Sequence, residues 1–308
     1  MGTTVHLVVH GDPSLLGVAQ DEVARLEARW SRFLPTSEVS RLNRRAGEAV
    51  VVSAETLELV DRACTAARVT EGRFDPTVLG DVLRAGYDRS YEELTAGPTS
   101  PASTTAAGPG AASALRRGVD AIEIDRAAST VRLAAGTGFD PGGIGKGLAA
   151  DLIADAVDGR GAAGVLVNIG GDLRAIGCGP DGDDWSVDLD PAATGEPLAT
   201  VTLDQGAVAT STVLRRRWEV DGQPRHHLID PATGAPARTG VVAVSVLAAT
   251  AWQAEALAKG ALLAGPGDGA ALVRSLGADA LLVADDGGLH ATPGLAGFLT
   301  RPLQEAAR

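Results

Sequence analysis

The chain has 308 residues, of which 45% are hydrophobic and 21% charged, and its formal net charge is −12 at pH 7. This length allows one large domain or two small ones, and the absence of any run of about 18 apolar residues excludes a membrane-spanning helix. So acidic a chain does not have the basic face that wrapping nucleic acid requires. The first residues lack the basic region and cleavage site of a signal peptide, so we expect a cytoplasmic protein.

The N-terminal third is predicted to contain one strand and two helices. Apolar and polar residues alternate in the first ten residues, which predicts a strand. Apolar residues then recur at helical spacing over residues 12–34 and 53–70, and Ser53 is a suitable N-cap for the second helix. Residues 96–115 are rich in proline and small residues and have no periodicity. That composition is typical of a mobile surface insertion.

Beyond residue 120 the strand patterns outnumber the helix patterns. Helices are predicted over residues 145–157, 250–264 and 268–276. The predicted strands are "AIEID", "TVRLAAG", the two halves of "GVLVNIGGDLRAIG", "WSVDLD", "LATVTL", "AVATSTV", "RRRWEV", "VVAVSVLA" and "ADALLVAD". Because the strands mostly follow one another directly, we expect an α+β fold in which mixed or antiparallel sheets pack with helices.

A glycine-rich segment at residues 139–157, "FDPGGIGKGLAADLIADAV", is the strongest local signal for chemistry. Glycines let a ligand approach the backbone closely, and a helix beginning just after them directs unpaired N–H groups and a positive dipole end at any phosphate there. Lys146 adds a positive charge at the same place. The segment is neither a Walker A loop nor a Rossmann G-x-G-x-x-G motif. Its spacing alone therefore leaves open both a phosphate site and a tight structural turn.

Three further segments are ambiguous in the same way. Gly170-Gly171 separates two apolar runs and could be a simple hairpin turn, and Asp75-Pro76-Thr77 is a turn signal. His227, in "RHHLIDPATGAP", lies three residues before Asp230 and is either a solvated side chain near a turn or a functional one. None of these segments decides the function by itself.

Taken in chain order, however, seven segments resemble the FAD:protein FMN transferase family, also known as the ApbE-type flavin transferases. They are "SRFLPTSEVSRLN", "FDPTVLGDVLRAGY", "DPGGIGKGLAAD", "VNIGGDLRAIG", "AVATST", "HHLIDPATGAP" and "WQAEALAKGALLAG". The similarity extends from about residue 2 to about residue 300, interrupted at 96–115, and implies a single ApbE-like domain over residues 1–308. It further implies an enzyme that binds FAD with a divalent metal, usually magnesium. Such an enzyme attaches FMN through a phosphoester bond to a serine or threonine of a partner flavoprotein and releases AMP.

The resemblance also implies roles for individual residues. Asp140 and Lys146 should contact FAD, and the carbonyl of Gly143 should face the metal. His227 and Lys146 are the predicted catalytic residues, and His227 is either the base that accepts the proton of the acceptor hydroxyl or an orienting residue. The other predicted cofactor contacts are Met1, Gly2, Thr3, Phe33, Arg73, Phe74, Asp75 and Ile229, and the ring of Phe33 suits stacking on a flat ring system.

The chain departs from the family pattern at the metal motif. The family has an aspartate and a threonine four residues apart on one helix, where this chain has Glu255 and Lys259. A glutamate can bind magnesium, but a protonated lysine has no lone pair to offer a metal. Either the two residues form an ordinary i,i+4 ion pair, or the Lys259 ammonium occupies part of the metal's place. Thr210-Ser211-Thr212 replaces the family's "TSG", which predicts altered geometry near the flavin phosphate.

Two other functions are compatible with these patterns. The chain could be an FAD pyrophosphatase that produces FMN and AMP with water as the acceptor. It could also be a non-catalytic FAD-binding protein whose metal site is altered.

Overall fold

The computed structural model describes residues 3–95, 118–192, 196–220, 222–301 and 303. The predicted insertion at 96–115 and the predicted contacts of Met1 and Gly2 lie outside these residues, and the single domain stays a prediction. The helices are α1 (Leu15–Trp30), α2 (Glu38–Arg44), α3 (Ala54–Val69), α4 (Leu79–Arg84), α5 (Tyr91–Thr95), α6 (Gly145–Asp158), α7 (Ala251–Ala264) and α8 (Pro266–Ser275). None of these helices is long and apolar enough to cross a membrane in the part of the chain that is described.

A central antiparallel sheet organises the fold. Its order in the described residues is β1 (Val5–His10), β5 (Gly164–Ile169), β6 (Asp172–Gly177), β9 (Gly206–Thr212), β14 (Val241–Ala248), β15 (Asp279–Ala284) and β16 (Leu289–Ala291). Smaller sheets consist of β2 (Ala49–Val51) with β4 (Thr130–Leu133) and β3 (Ile122–Asp125), β7 (Trp185–Leu189) with β8 (Ala199–Leu203), β10 (Arg217–Val220) with β11 (Gln223–His226), and β12 (Ile229–Asp230) with β13 (Ala235–Pro236). Neighbouring strands of the central sheet run antiparallel, and the α+β class is confirmed.

The central sheet is covered on both faces, because successive apolar residues of its middle strands belong to two different clusters. Ala207, Ala209 and Val246 belong to the main core, in which α6 and α7 pack against the sheet. Val208 and Leu247, their neighbours in sequence, belong to a second cluster together with residues of β8. Successive side chains of a strand point to opposite faces, so β9 and β14 are buried on both sides.

Several predicted elements are present with shifted ends. Ser53 caps α3 as predicted, since its side chain accepts a hydrogen bond from the backbone N–H of Thr56. The first predicted helix is shorter than the span 12–34, because Ser31 adopts an extended conformation directly after Trp30. The residues that follow form α2, a separate short helix capped by Ser37, which the pattern did not predict.

Candidate functional site

The first turns of α6 and α7 touch each other, and this contact positions the charged residues of the site. Gly147 lacks a Cβ, and a Cβ there would lie 2.3 Å from the carbonyl oxygen of Ala251. The backbone N–H of Gly147 donates to Oε2 of Glu255 at 2.8 Å. A carboxylate on α7 therefore binds an N–H group at the start of α6, in the segment for which the sequence left open a phosphate site or a structural turn.

Four charged side chains, two buried carboxylates and two half-buried lysines, meet beside this contact. The Lys146 ammonium donates to Asp172 and, at 2.6 Å, to Oε1 of Glu255. The Lys259 ammonium lies 3.7 Å from the same Oε1 and donates to the carbonyl oxygen of Gly142 at 2.9 Å. Each of the four side chains is at most 16% exposed. We call Lys146, Asp172, Glu255 and Lys259 the ionic cluster.

Burial and mutual attraction shift the pKa values in the ionic cluster in different directions. Burial lowers the pKa of Lys146, but the attraction of Asp172 and Glu255 outweighs it, and the net shift is upward. Burial raises the pKa of Asp172 to about 6 against the attraction of Lys146. For Glu255, the two lysines outweigh the effect of burial and the pKa is lowered. Burial lowers the pKa of Lys259 despite the attraction of Glu255.

A cleft with two lobes opens at the ionic cluster. The first lobe is a cavity of about 130 Å³ and the second a cavity of about 800 Å³. The two lobes share the lining residues Gly142, Lys146, Arg216, His227 and Lys259. The lobes therefore meet where the cations of the site are concentrated.

The first lobe is aromatic. The rings of Phe33 and Tyr87 lie 5.9 Å apart, and Tyr87 stacks on Trp218 at 5.3 Å. The guanidinium of Arg32 lies over Phe33 and Tyr87, at 4.2 and 4.7 Å from the ring centroids, and 3.8 Å from a carboxylate oxygen of Asp140. Such a wall suits a flat, electron-rich ring system, which can stack on both aromatic and guanidinium planes.

The predicted site residues that fall within the described part of the chain line this cleft. Those of the first lobe are Phe33, Arg73, Phe74, Asp75, Asp140, Gly143, Lys146, His227, Ile229 and Lys259, and those of the second include Thr3, Thr210, Ser211, Thr212 and Glu255. Some also have local structural partners. One oxygen of Asp75 accepts hydrogen bonds from both the N–H and the hydroxyl of Thr77. The contacts that each residue makes to a ligand stay predictions.

His227 faces both lobes and has an unused ring nitrogen. Its Nδ1 is buried and has no hydrogen-bond partner among the described residues. Burial, with further repulsion from Lys259 and Arg216, lowers the pKa of His227 well below its usual value. The imidazole is therefore neutral near pH 7, and a neutral imidazole that lines the cleft can accept a proton from a ligand there.

The residues of the cleft that were not predicted from the sequence include Arg216, Asp172 and Tyr87. Arg216 lines both lobes and adopts a left-handed conformation with φ of 49°, which is uncommon for a non-glycine residue. The run "LRRRWEV" close before "HHLIDP" was the available signal for it. Asp172 directly follows Gly170-Gly171, so the glycine pair was the signal in its case. Tyr87 is the last residue of "FDPTVLGDVLRAGY", one of the seven segments that resemble the family, and that segment was the signal in its case.

The oxygens of Glu255, the predicted side-chain ligand of magnesium, are already engaged in this site, and so is a backbone carbonyl next to the predicted ligand Gly143. Both oxygens of Glu255 and the carbonyl of Gly142 bind ammonium or N–H groups. Among the residues that the structure describes, no three histidine, cysteine, aspartate or glutamate side chains are grouped so that they could hold a metal ion. Two ammonium groups beside Glu255 would also repel a divalent cation. The residues present therefore do not fit a magnesium ion.

The fold and the cleft define an α+β protein in which cations converge between an aromatic and a polar cavity. The same fold occurs in the ApbE protein of Thermotoga maritima, with a TM-score of 0.81 and 29% identity over 97% of each chain. It also occurs in the flavin transferase ApbE of Vibrio cholerae, with a TM-score of 0.76 and 25% identity over 97% of this chain and 96% of the other.

Sequence relatives agree with the structural similarity. The FAD:protein FMN transferase of Treponema pallidum (strain Nichols) is 34% identical over 275 residues, which cover 84% of this chain and 74% of the relative. That of Vibrio cholerae serotype O1 is 28% identical over 308 residues, which cover 93% and 86%. A model of the ApbE family matches residues 1–282. The chain belongs to the ApbE family, and the family predicted from the sequence is confirmed.

Proposed function

We propose that this protein transfers FMN from FAD to a serine or threonine hydroxyl of a partner flavoprotein in the cytoplasm and releases AMP. The observation that carries the proposal is the convergence of Lys146, Lys259 and Arg216 where the two lobes meet. In a chain with a net charge of −12, such a concentration of cations suits the bridging phosphates of a dinucleotide. Family membership supports the same reaction, because curated relatives are named FAD:protein FMN transferases.

The shape of the cleft suits the parts of this substrate. The aromatic first lobe, with Phe33 and Tyr87, suits one of the two flat ring systems of FAD. The pyrophosphate would lie at the shared residues, and the wider polar lobe leaves room for the rest of the dinucleotide and for the acceptor hydroxyl. A site that fixes both reactants can supply much of the rate acceleration through their orientation alone.

The reaction is a phosphoryl transfer. The acceptor oxygen forms a bond to the phosphorus of the FMN half, the bond from that phosphorus to the bridging oxygen breaks, and the bridging oxygen leaves with AMP. The acceptor proton passes to a ring nitrogen of His227, the histidine that lines both lobes. Lys146, Lys259 and Arg216 stabilise the negative charge that develops on the phosphate oxygens. Magnesium, which the family resemblance implied, would add positive charge there, but the residues present do not fit it and no step depends on it.

Product analysis tests this function directly. The protein is incubated with FAD and a panel of flavoproteins that carry candidate acceptor hydroxyls, followed by mass spectrometry of the protein and chromatography of nucleotides. We expect a covalent FMN adduct on one acceptor and an equal amount of AMP. Free FMN with AMP and no adduct would instead identify an FAD pyrophosphatase. Bound FAD with no AMP would identify a non-catalytic FAD-binding protein.

The role of His227 is tested by His227→Asn. Loss of a general base lowers turnover by about 10²- to 10⁴-fold, while FAD affinity should stay within about threefold because the cations remain in place. Steady-state kinetics with varied acceptor, together with direct FAD binding, separate these two effects. Turnover that is unchanged in the variant would rule out proton transfer to His227. A parallel loss of FAD affinity would identify a binding residue instead.

A further inference from the structure

The position of Lys259 resembles that of a bound cation. Its ammonium lies between a carboxylate oxygen of Glu255, at 3.7 Å, and the carbonyl oxygen of Gly142, at 2.9 Å. A carboxylate and a backbone carbonyl are oxygen ligands of the kind that hard cations prefer. In this chain, those oxygens face a side-chain cation that the protein itself supplies.

Gly143 makes room for this arrangement. A Cβ on Gly143 would lie 2.8 Å from Cδ of Lys259 and 2.5 Å from Cε2 of Phe74. The aliphatic part of Lys259 therefore crosses the face of Gly143, and the ammonium reaches the next carbonyl, that of Gly142. The residue whose carbonyl was expected to face a metal therefore packs against the stem of a lysine side chain.

The distribution of basic residues singles out the same two positions. Lys146 and Lys259 are the only lysines of the chain, and the other basic residues that make up the Lys+Arg total of 27 are arginines. A guanidinium is a broad, planar fork, whereas an ammonium is a compact point charge. Both compact cations of the chain contact one oxygen, Oε1 of Glu255. Compact positive charges are therefore confined to this one place in the chain.

The ionic cluster is electrically neutral without an added ion. Lys146 and Lys259 balance the carboxylates of Asp172 and Glu255, and the guanidinium of Arg216 faces the same junction. When a pyrophosphate enters, its oxygens can replace carbonyl or carboxylate groups as partners of the two ammonium groups. An ammonium keeps three donors, so Lys259 can bind Glu255 and a phosphate oxygen together.

We propose that the Lys259 ammonium takes the place of the divalent cation, so that this protein binds the pyrophosphate of FAD and transfers FMN without a divalent metal. This inference rests on the proposed function for the identity of the ligand. The bonds made and broken are those of the phosphoryl transfer described above, and Lys259 remains protonated throughout. Its contribution is electrostatic stabilisation of the phosphate oxygens.

FAD binding tests the proposal independently of catalysis. The full-length protein is titrated with FAD in excess EDTA and in excess magnesium chloride, and bound flavin is measured by fluorescence anisotropy. We expect dissociation constants within about threefold of each other, far below the tenfold change that 1.4 kcal/mol produces. An affinity at least about tenfold higher with magnesium would overturn the proposal. This comparison needs no variant.

Variants test the assignment to Lys259. Lys259→Thr and Lys259→Met should each weaken FAD binding in EDTA by about tenfold or more, the effect of losing one charge-assisted hydrogen bond. Glu255 keeps Lys146 and the N–H of Gly147 in both variants, so thermal unfolding should show a folded protein. The control is Arg45→Ala, which removes half of an exposed pair with Glu48. Wild-type affinity in EDTA for both Lys259 variants would overturn the proposal.

The outcomes also separate this inference from the proposed function. FAD binding that is insensitive to EDTA, without an FMN adduct on any acceptor, would contradict the transfer reaction but support the role of Lys259. Binding that requires magnesium would contradict the role of Lys259 even if an adduct forms.

Discussion

Asp151 and Glu255 each bind the N-terminus of the helix that carries the other. The two oxygens of Asp151, on α6, accept hydrogen bonds from the backbone N–H groups of Ala251 and Trp252 at 2.8 and 2.9 Å, at the start of α7. Glu255, on α7, accepts a hydrogen bond from Gly147 at the start of α6. Carboxylates at helix N-termini satisfy N–H groups and complement the helix dipole. The two helices that carry the ionic cluster are therefore fixed to each other by reciprocal capping.

This relationship predicts a large loss of stability on replacing Asp151 with alanine. The substitution leaves two N–H groups of α7 without their acceptor and removes the carboxylate that lies 3.4 Å from the buried guanidinium of Arg174. Removing one partner of a buried ion pair lowers the free energy of unfolding by about 3–5 kcal/mol. Urea unfolding followed by circular dichroism measures this loss. The control, Glu58→Ala, removes a half-exposed partner of Arg62 and should change stability by less than about 0.5 kcal/mol. Similar losses in the two variants would contradict the capping role.

Asp151 also predicts a pH dependence of stability. Burial raises the pKa of Asp151 to about 6, although the N–H groups of Ala251 and Trp252 act in the opposite direction. An aspartate in an unfolded chain titrates near 3.9. Between about pH 4 and pH 6 the folded protein therefore holds a proton that the unfolded chain has released. The free energy of unfolding should fall as the pH rises through this window.

The contribution of Asp151 is isolated by comparison with Asp151→Asn, which cannot titrate. The unfolding free energy of the wild type minus that of the variant should be larger near pH 4.5 than at pH 7, by on the order of 2 kcal/mol. Urea unfolding at the two pH values gives both differences. A difference that is equal at the two pH values, or larger at pH 7, would show that the carboxylate is not destabilised by burial.

The sequence predicted those parts of the molecule in which local and tertiary preferences agree. Helix α6 and the hairpin around Gly170-Gly171 were predicted because a glycine break flanks a clear apolar pattern in each. Helix α2 was not predicted, because seven residues make a marginal helix by themselves. It depends on the cap from Ser37 and on burial of Val39 and Leu42, which only the folded chain provides.

The site, too, has residues that the sequence predicted and contacts that it could not predict. The ordered motifs predicted that Phe33, Asp140, Lys146 and His227 belong together, and the structure places them around one cleft. The partners inside the cleft could not be predicted from spacing. Lys259 and the carbonyl that it binds are 117 residues apart in the chain. The choice between an ordinary ion pair and a cation in the site therefore needed the tertiary structure.

Gly143 predicts an effect that couples packing to ligand binding. In Gly143→Ala the new Cβ would collide with Phe74, which is buried, and with the stem of Lys259. Overpacking of this kind costs about 1–3 kcal/mol. The displaced Lys259 ammonium should lower FAD affinity by about tenfold or more. Thermal unfolding and flavin anisotropy measure the two effects.

The control for this variant is Gly17→Ala. Gly17 lies within α1, and a Cβ there would meet nothing within 4 Å. Alanine in a helix is more favourable than glycine by about 0.5–1 kcal/mol, so this variant should be more stable and should bind FAD normally. Normal FAD affinity in Gly143→Ala would contradict the placement of Lys259 across Gly143.

The two lysines predict a simple pattern of chemical reactivity. Their side chains are 16% and 15% exposed, and each ammonium is hydrogen-bonded within the site. An amine reagent can therefore react only after an ammonium group has left its hydrogen-bond partners and lost its proton. Under native conditions an N-hydroxysuccinimide ester should modify Lys146 and Lys259 at least about tenfold more slowly than the same lysines in urea. Peptide mapping by mass spectrometry assigns each site without interference, because the chain has no other lysine.

FAD should slow both reactions further in EDTA as well as in magnesium, since the pyrophosphate would cover both ammonium groups. Rapid modification of Lys259 in the native protein would show that its ammonium lies outside the ionic cluster in solution.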